Sequence, residues 1–119
     1  MKLENWKYFL KENKYVFMIF TANWCGPCKR IKPIIDKKKN DKSIIQNKIK
    51  FIFIDIDENE NLAIYYKVRA LPTIIIFNKE KNIGKLMMEN NIEKIINKYI
   101  NCFTNEVTKS NVRLENVIK

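Results

Sequence analysis

The chain reads as a single α/β domain, a central mixed sheet of four strands flanked by helices on both faces. Three observations predict this. Along the 119 residues, apolar positions alternate between helical and strand spacing in the order α, β, α, β, α, β, β, α. A long helical crossover separates the first two strands, which implies a parallel pair. A short polar turn separates the last two, which implies an antiparallel hairpin. A chain of this length has room for one domain and one core.

Leu3, Trp6, Phe9 and Leu10 recur at helical spacing, so Leu3 to Glu12 is expected to be an amphipathic helix. The unbroken apolar run from Tyr15 to Thr21 reads as a central strand, buried on both faces. A helix follows from about Gly26 to Asn40; Pro33 inside it removes one backbone donor and should kink it. Asp41 to Lys48 reads as a polar connection and Lys50 to Ile56 as the second strand, ending in the acidic cluster Asp55, Asp57 and Glu58. Glu60 to Tyr66 is a short helix carrying Leu62, Ala63 and Tyr66. Thr73 to Phe77 and Ile83 to Met88 form the hairpin around a turn at Asn78 to Asn82. Asn91 is placed to cap a last helix whose apolar stripe is Ile92, Ile95, Ile96, Tyr99, Ile100 and Phe103. Beyond it, Thr104 to Lys119 is polar with scattered Val107, Val112, Leu114, Val117 and Ile118, and is expected to be a partly helical or mobile extension.

The formal charge is +10, from 23 basic and 13 acidic residues. No RNA-recognition or helix-turn-helix pattern accompanies the lysines. Ile, Asn and Lys, all with A/T-rich codons, dominate the composition. The charge is therefore read as compositional bias, with no specific nucleic-acid partner. Lys37, Lys38 and Lys39 suit the negative end of a helix dipole. No run approaches the roughly 18 apolar residues of a membrane span. The N-terminus lacks the apolar stretch of a signal peptide, so no membrane association and a cytoplasmic location are expected.

Histidine is absent, which excludes His-based triads and His zinc sites; three cysteines are too few for a four-thiolate zinc site or a disulfide scaffold. No metal and no cofactor are expected. Cys25 and Cys28, two residues apart in Trp24-Cys25-Gly26-Pro27-Cys28-Lys29, can close a small reversible disulfide. They lie where a strand gives way to a helix, and free N–H groups and the helix dipole there favour a thiolate, the nucleophilic form of cysteine. Two buried thiols or an incomplete metal site are the bland alternatives. Cys102, beside the apolar stripe of the last helix, is read as a small hydrophobe. Trp6 and Tyr65 are expected to pack rather than touch a ligand.

The segment Phe20 to Lys29 resembles the active site of the thioredoxin family. Pro33 resembles the proline that bends the family's active-site helix, and Val68-Arg69-Ala70-Leu71-Pro72-Thr73 resembles the loop carrying its cis-proline. The resemblance implies the thioredoxin fold over residues 1–103, with 104–119 as an extension. It implies a protein disulfide reductase in which Cys25 is the nucleophile and Cys28 the resolving thiol, with Cys25–Cys28 as the redox-active disulfide. Trp24, Gly26 and Pro27 would form the active-site turn. Trp24, Ala70, Leu71, a cis Pro72 and Met88 would form the substrate surface. It further implies protein disulfides as substrates, a thioredoxin reductase or a glutathione system as electron donor, and a monomer.

The chain departs from the family's pattern in four places. The family's first edge strand is expected to be missing. Ile19 stands where a buried Asp usually assists the resolving thiol, and Phe53 where some members carry a partner Lys. Met88 stands near a usual glycine. Ile19, Met88, the missing edge strand and the extension after residue 103 keep open a second reading, a thioredoxin-fold binding or adaptor module in a larger complex with a vestigial or regulatory redox pair.

Overall fold

The computed structural model describes residues 2–118, with side chains through residue 105. Its elements are α1 (Leu3–Glu12), β1 (Tyr15–Thr21), α2 (Gly26–Lys39), α3 (Lys42–Gln46), β2 (Ile49–Asp55), α4 (Glu60–Tyr65), β3 (Thr73–Asn78), β4 (Lys81–Met87) and α5 (Ile92–Ile118). Four strands form one sheet in the order β2-β1-β3-β4. The β1–β2 pair is parallel, running from Tyr15 opposite Ile49 to Thr21 opposite Asp55. The β1–β3 and β3–β4 pairs are antiparallel.

Because successive strand residues point to opposite faces, β1 feeds two cores. Tyr15, Phe17 and Ile19 face Ile31 and Ile35 of α2, Ile44 of α3, and Ile92, Ile96 and Phe103 of α5. Val16, Met18 and Phe20 face Trp6 and Leu10 of α1 and Leu62 of α4. From Val16 to Phe20 every residue of β1 is fully buried, so the strand is apolar on both faces and its hydrophobic run is continuous. Each such side chain contributes roughly 1.5–3 kcal/mol on leaving water.

Four local features differ from the expectations drawn from sequence. The connection at Asp41 to Lys48 contains a helical turn, α3: the Asp41 carboxylate caps it by accepting the Ser43 N–H at 2.8 Å, and Ile44 is buried. The hairpin turn is two residues, not five. Asn78 pairs with Lys81, and Lys79 and Glu80 take left-handed φ values of 51° and 71°. Positive φ at both central residues is the geometry whose twist matches a hairpin. Cys102 is exposed: the buried stripe of α5 passes through Ile96 and Phe103, and position 102 turns about 100° away from Phe103. Tyr65 is exposed, under the Lys7 ammonium, while Tyr66 packs inward.

Helix α5 runs through Ile118 with no break at residue 103. The side chains of Val107, Val112, Leu114, Val117 and Ile118 lie outside the described residues. At the other end of the hairpin, Gly84 meets α5. A Cβ there would lie 2.9 Å from Cζ of Tyr99, so only glycine lets the aromatic ring lie over β4.

Candidate active site

Cys25 and Cys28 are joined as a disulfide, with Cα atoms 5.4 Å apart. The strand β1 delivers the chain to one end of the sheet. A turn from Ala22 to Cys25, closed by the Cys25 N–H on the Ala22 carbonyl at 3.1 Å, reverses it into α2. Cys25 is the N-cap of α2, and its Sγ accepts the Cys28 N–H at 3.2 Å. The first sulfur therefore sits on the free N–H groups and the positive end of the helix dipole.

Gly26 and Pro27 are the first residues of the helix rather than the turn before it. A Cβ on Gly26 would meet nothing within 4 Å, and its φ lies outside the left-handed region. Proline suits this place, because an N–H in the first helical turn has no intrahelical partner. Both cysteines are buried, Cys25 at 4% exposure and Cys28 at 5%, so the pair is not divided into an open and a sheltered sulfur by area. They are divided by direction. Cys25 lines a groove of about 460 Å³ with Trp24, Gly26, Pro27, Ile56, Ala63 and the loop Val68 to Leu71. Cys28 lines a second cleft, about 310 Å³, with Asn23, Lys29, Lys32, Phe53 and Asp55.

The groove wall is fixed by two devices. The Leu71–Pro72 peptide is cis. The buried Thr73 hydroxyl donates to the Ala70 carbonyl at 2.6 Å, which closes the loop on itself. Arg69 and Ala70 are exposed beside it, while Pro72 is buried beneath. Trp24 is 68% exposed, yet its indole N–H donates to Asp57 Oδ2 at 3.0 Å. Met88 is not in the groove lining. It follows β4 and packs half-buried against the core beneath α2 and α5.

Ile19 is fully buried, opposite Phe53 on one side and Ile74 on the other. Among the described residues Thr73 is the only buried polar one, so no carboxylate is buried against the disulfide, whose packed neighbours are Ala22, Ile56 and Leu71. Among the described residues no cluster of acidic or thiol side chains could hold a metal ion. Among the described residues Tyr66 has a clearly displaced acidity. Burial raises the Tyr66 pKa above the ordinary tyrosine value, against a smaller opposing effect of the Trp6 indole, which donates to its hydroxyl at 2.8 Å. The Trp24–Asp57 bond was not foreseen from sequence. The acidic run after the second strand was the available signal.

Known proteins resemble the chain along most of its length. The family pattern described as Thioredoxin matches residues 1–101. Thioredoxin from Rickettsia conorii is 39% identical over 98 residues, covering 79% of this chain and 90% of that relative. In oxidised mitochondrial thioredoxin 3 from Saccharomyces cerevisiae the fold superposes with a TM-score of 0.71 at 28% identity, over 83% of this chain and 88% of that one. Fasciola hepatica thioredoxin gives a TM-score of 0.68 at 29% identity, over 83% and 88%.

Proposed function

Given that this chain belongs to the thioredoxin family and reduces protein disulfides by dithiol–disulfide exchange through Cys25 and Cys28, we propose that Cys25 attacks the substrate and Cys28 resolves it. The observation that supports this division most is the direction of the two sulfurs. Cys25 alone of the pair opens on the groove, and it alone caps the helix. In the reduced protein the Cys25 thiolate attacks one sulfur of a substrate disulfide. An S–S bond forms to Cys25, and the other substrate sulfur leaves as a thiolate. Cys28 then attacks Cys25, the Cys25–Cys28 bond forms, and the second substrate sulfur leaves. Two electrons pass from the dithiol to the substrate.

An extended peptide lies along Ala70 and Leu71, held by backbone pairing before the cis-proline, with Trp24 forming the apolar rim. A thioredoxin reductase or a glutathione system returns the pair to the dithiol. The protein acts as a monomer in the cytoplasm, in electron transport and redox homeostasis. In support, no helix among the described residues is long and apolar enough to cross a membrane, and relatives such as the Rickettsia protein carry the same family name.

Insulin reduction with dithiothreitol as donor tests the activity. Wild type should accelerate it and Cys25→Ser should not. A reduction potential near about −270 mV fits a reductase, whereas about −180 mV would place the protein with the isomerases.

A further inference from the structure

We infer that the Asp55 carboxylate, acting across the cleft it shares with Cys28, accepts the proton that Cys28 gives up when it resolves the mixed disulfide. The inference rests on the reading of Cys28 as the resolving thiol.

A thiol must lose its proton before its sulfur can attack. Beneath the pair that proton has nowhere to go. Ala22, Ile56 and Leu71 pack against the two cysteines and are apolar, and the one buried polar side chain among the described residues, Thr73, already donates to Ala70. The groove in front of Cys25 carries a single charged group, Arg69, which has no acceptor. The cleft on the Cys28 side is different. Its charged lining groups are Lys29, Lys32 and Asp55. The ammonium groups only donate, and the Asn23 amide beside them is not a base, so Asp55 is the one proton acceptor in the lining.

Asp55 is also held in place. It ends β2 directly opposite Thr21, four residues before Cys25. Its Oδ1 accepts the Asp57 N–H at 2.9 Å, and its carbonyl accepts the Asn59 side-chain N–H at 3.0 Å. Two other acids contact this turn: Asp57, whose carboxylate is turned toward Trp24, and Glu58, whose N–H donates to the Asp55 carbonyl at 3.2 Å.

The step balances as follows. The Cys28 proton passes through solvent in the cleft to Asp55. The freed electron pair on Cys28 forms the bond to Cys25 Sγ, and the bond from Cys25 to the substrate breaks. The substrate sulfur leaves as a thiolate and is protonated by solvent, while Asp55 returns its proton to bulk water.

The test uses the full chain with Cys102→Ser, since Cys102 is exposed and would react. The reduced protein is mixed with excess dithionitrobenzoate, and thionitrobenzoate release is followed by stopped flow from pH 6 to 9. Attack by Cys25 gives a phase that scales with reagent; resolution by Cys28 gives one that does not. Asp55→Asn should leave the first phase intact and slow the second about tenfold at pH 7. The gap should close as pH passes a thiol's roughly 8.5, where solvent can take the proton. Asp55→Glu should keep most of the neutral rate. Asparagine retains the Oδ1 acceptor, so the turn to Asp57 persists. A second phase that is unchanged, faster, or slowed equally at every pH overturns the assignment of Asp55. A wild type that keeps thionitrobenzoate bound to Cys25 instead of closing the Cys25–Cys28 bond overturns the exchange reading itself.

Discussion

The indole of Trp24 and the carboxylate of Asp57, 33 residues apart in sequence, meet at 3.0 Å on the rim of the groove. The ring stays open to solvent while its orientation is set by the loop after β2. It offers an exposed apolar face without rotational freedom, and a bound peptide then has less side-chain entropy to remove.

Asp57→Ala should therefore release the ring and weaken substrate docking. We expect KM for insulin to rise several-fold, in line with the loss of one hydrogen bond, with kcat little changed. Steady-state kinetics at several insulin concentrations check this. A fall in kcat at constant KM would place Asp57 in the chemistry instead of on the rim.

Exchange through an attacking and a resolving thiol predicts asymmetric trapping. Cys28→Ser should accumulate mixed disulfides with protein substrates, because nothing then displaces the partner from Cys25. Cys25→Ser should accumulate few. Non-reducing gels followed by peptide mapping distinguish them, with Cys102→Ser in both backgrounds. Equal trapping by the two variants would contradict the roles assigned.

Gly84→Ala should destabilise the fold. The new methyl group would press on the Tyr99 ring, which must move away from β4 or push α5 outward. Overpacking of this kind costs about 1–3 kcal/mol. Urea melts should show a lower midpoint, and Gly84→Ala combined with Tyr99→Leu should recover part of it.

Tyr66→Phe should cost about 1–3 kcal/mol at pH 7, since it leaves the buried Trp6 N–H without its acceptor. The cost should shrink in alkali. Burial raises the Tyr66 pKa in the folded state, so the folded protein holds this proton more tightly than the unfolded chain. That contribution is whole below about pH 10 and is lost as pH climbs through the higher folded value. Phenylalanine has no proton to lose. Paired urea melts at pH 7 and pH 10.5 should bring the two proteins closer at the higher pH.

The sequence was most legible where one physical demand acted alone. The run from Val16 to Phe20 can be little else than a strand buried on both faces, and Trp6 and Leu10 at helical spacing mark the face of α1 that covers it. The cysteine pair at a strand-to-helix junction was equally plain. Legibility failed where short-range chemistry competed with composition. Asp41 and Ser43 make a helix cap, yet polar residues around Ile44 read as a loop. Lys79 and Glu80 adopt left-handed φ without glycine, because the pairing of Asn78 with Lys81 demands it. Cys102 lies one residue from buried Phe103 and Tyr65 one from half-buried Tyr66, and a rotation of about 100° per residue turns each of them out toward solvent. The Trp24–Asp57 bond, and the cleft that Asp55 shares with Cys28, exist only after β1 and β2 align in register.

The apolar packing around the disulfide has an electrochemical consequence. A buried acid beside the pair would change its proton affinity when the disulfide opens, and the couple would then exchange its proton as well. The side chains packed on the pair are Ala22, Ile56 and Leu71, and among the described residues no acid is buried, so none has a proton to exchange there. The reduction midpoint should fall by about 59 mV per pH unit while both thiols are protonated, as two electrons travel with two protons. It should fall by about 30 mV per unit once one of them has ionised. A single break in that line would then report the acidity of one thiol in the reduced protein.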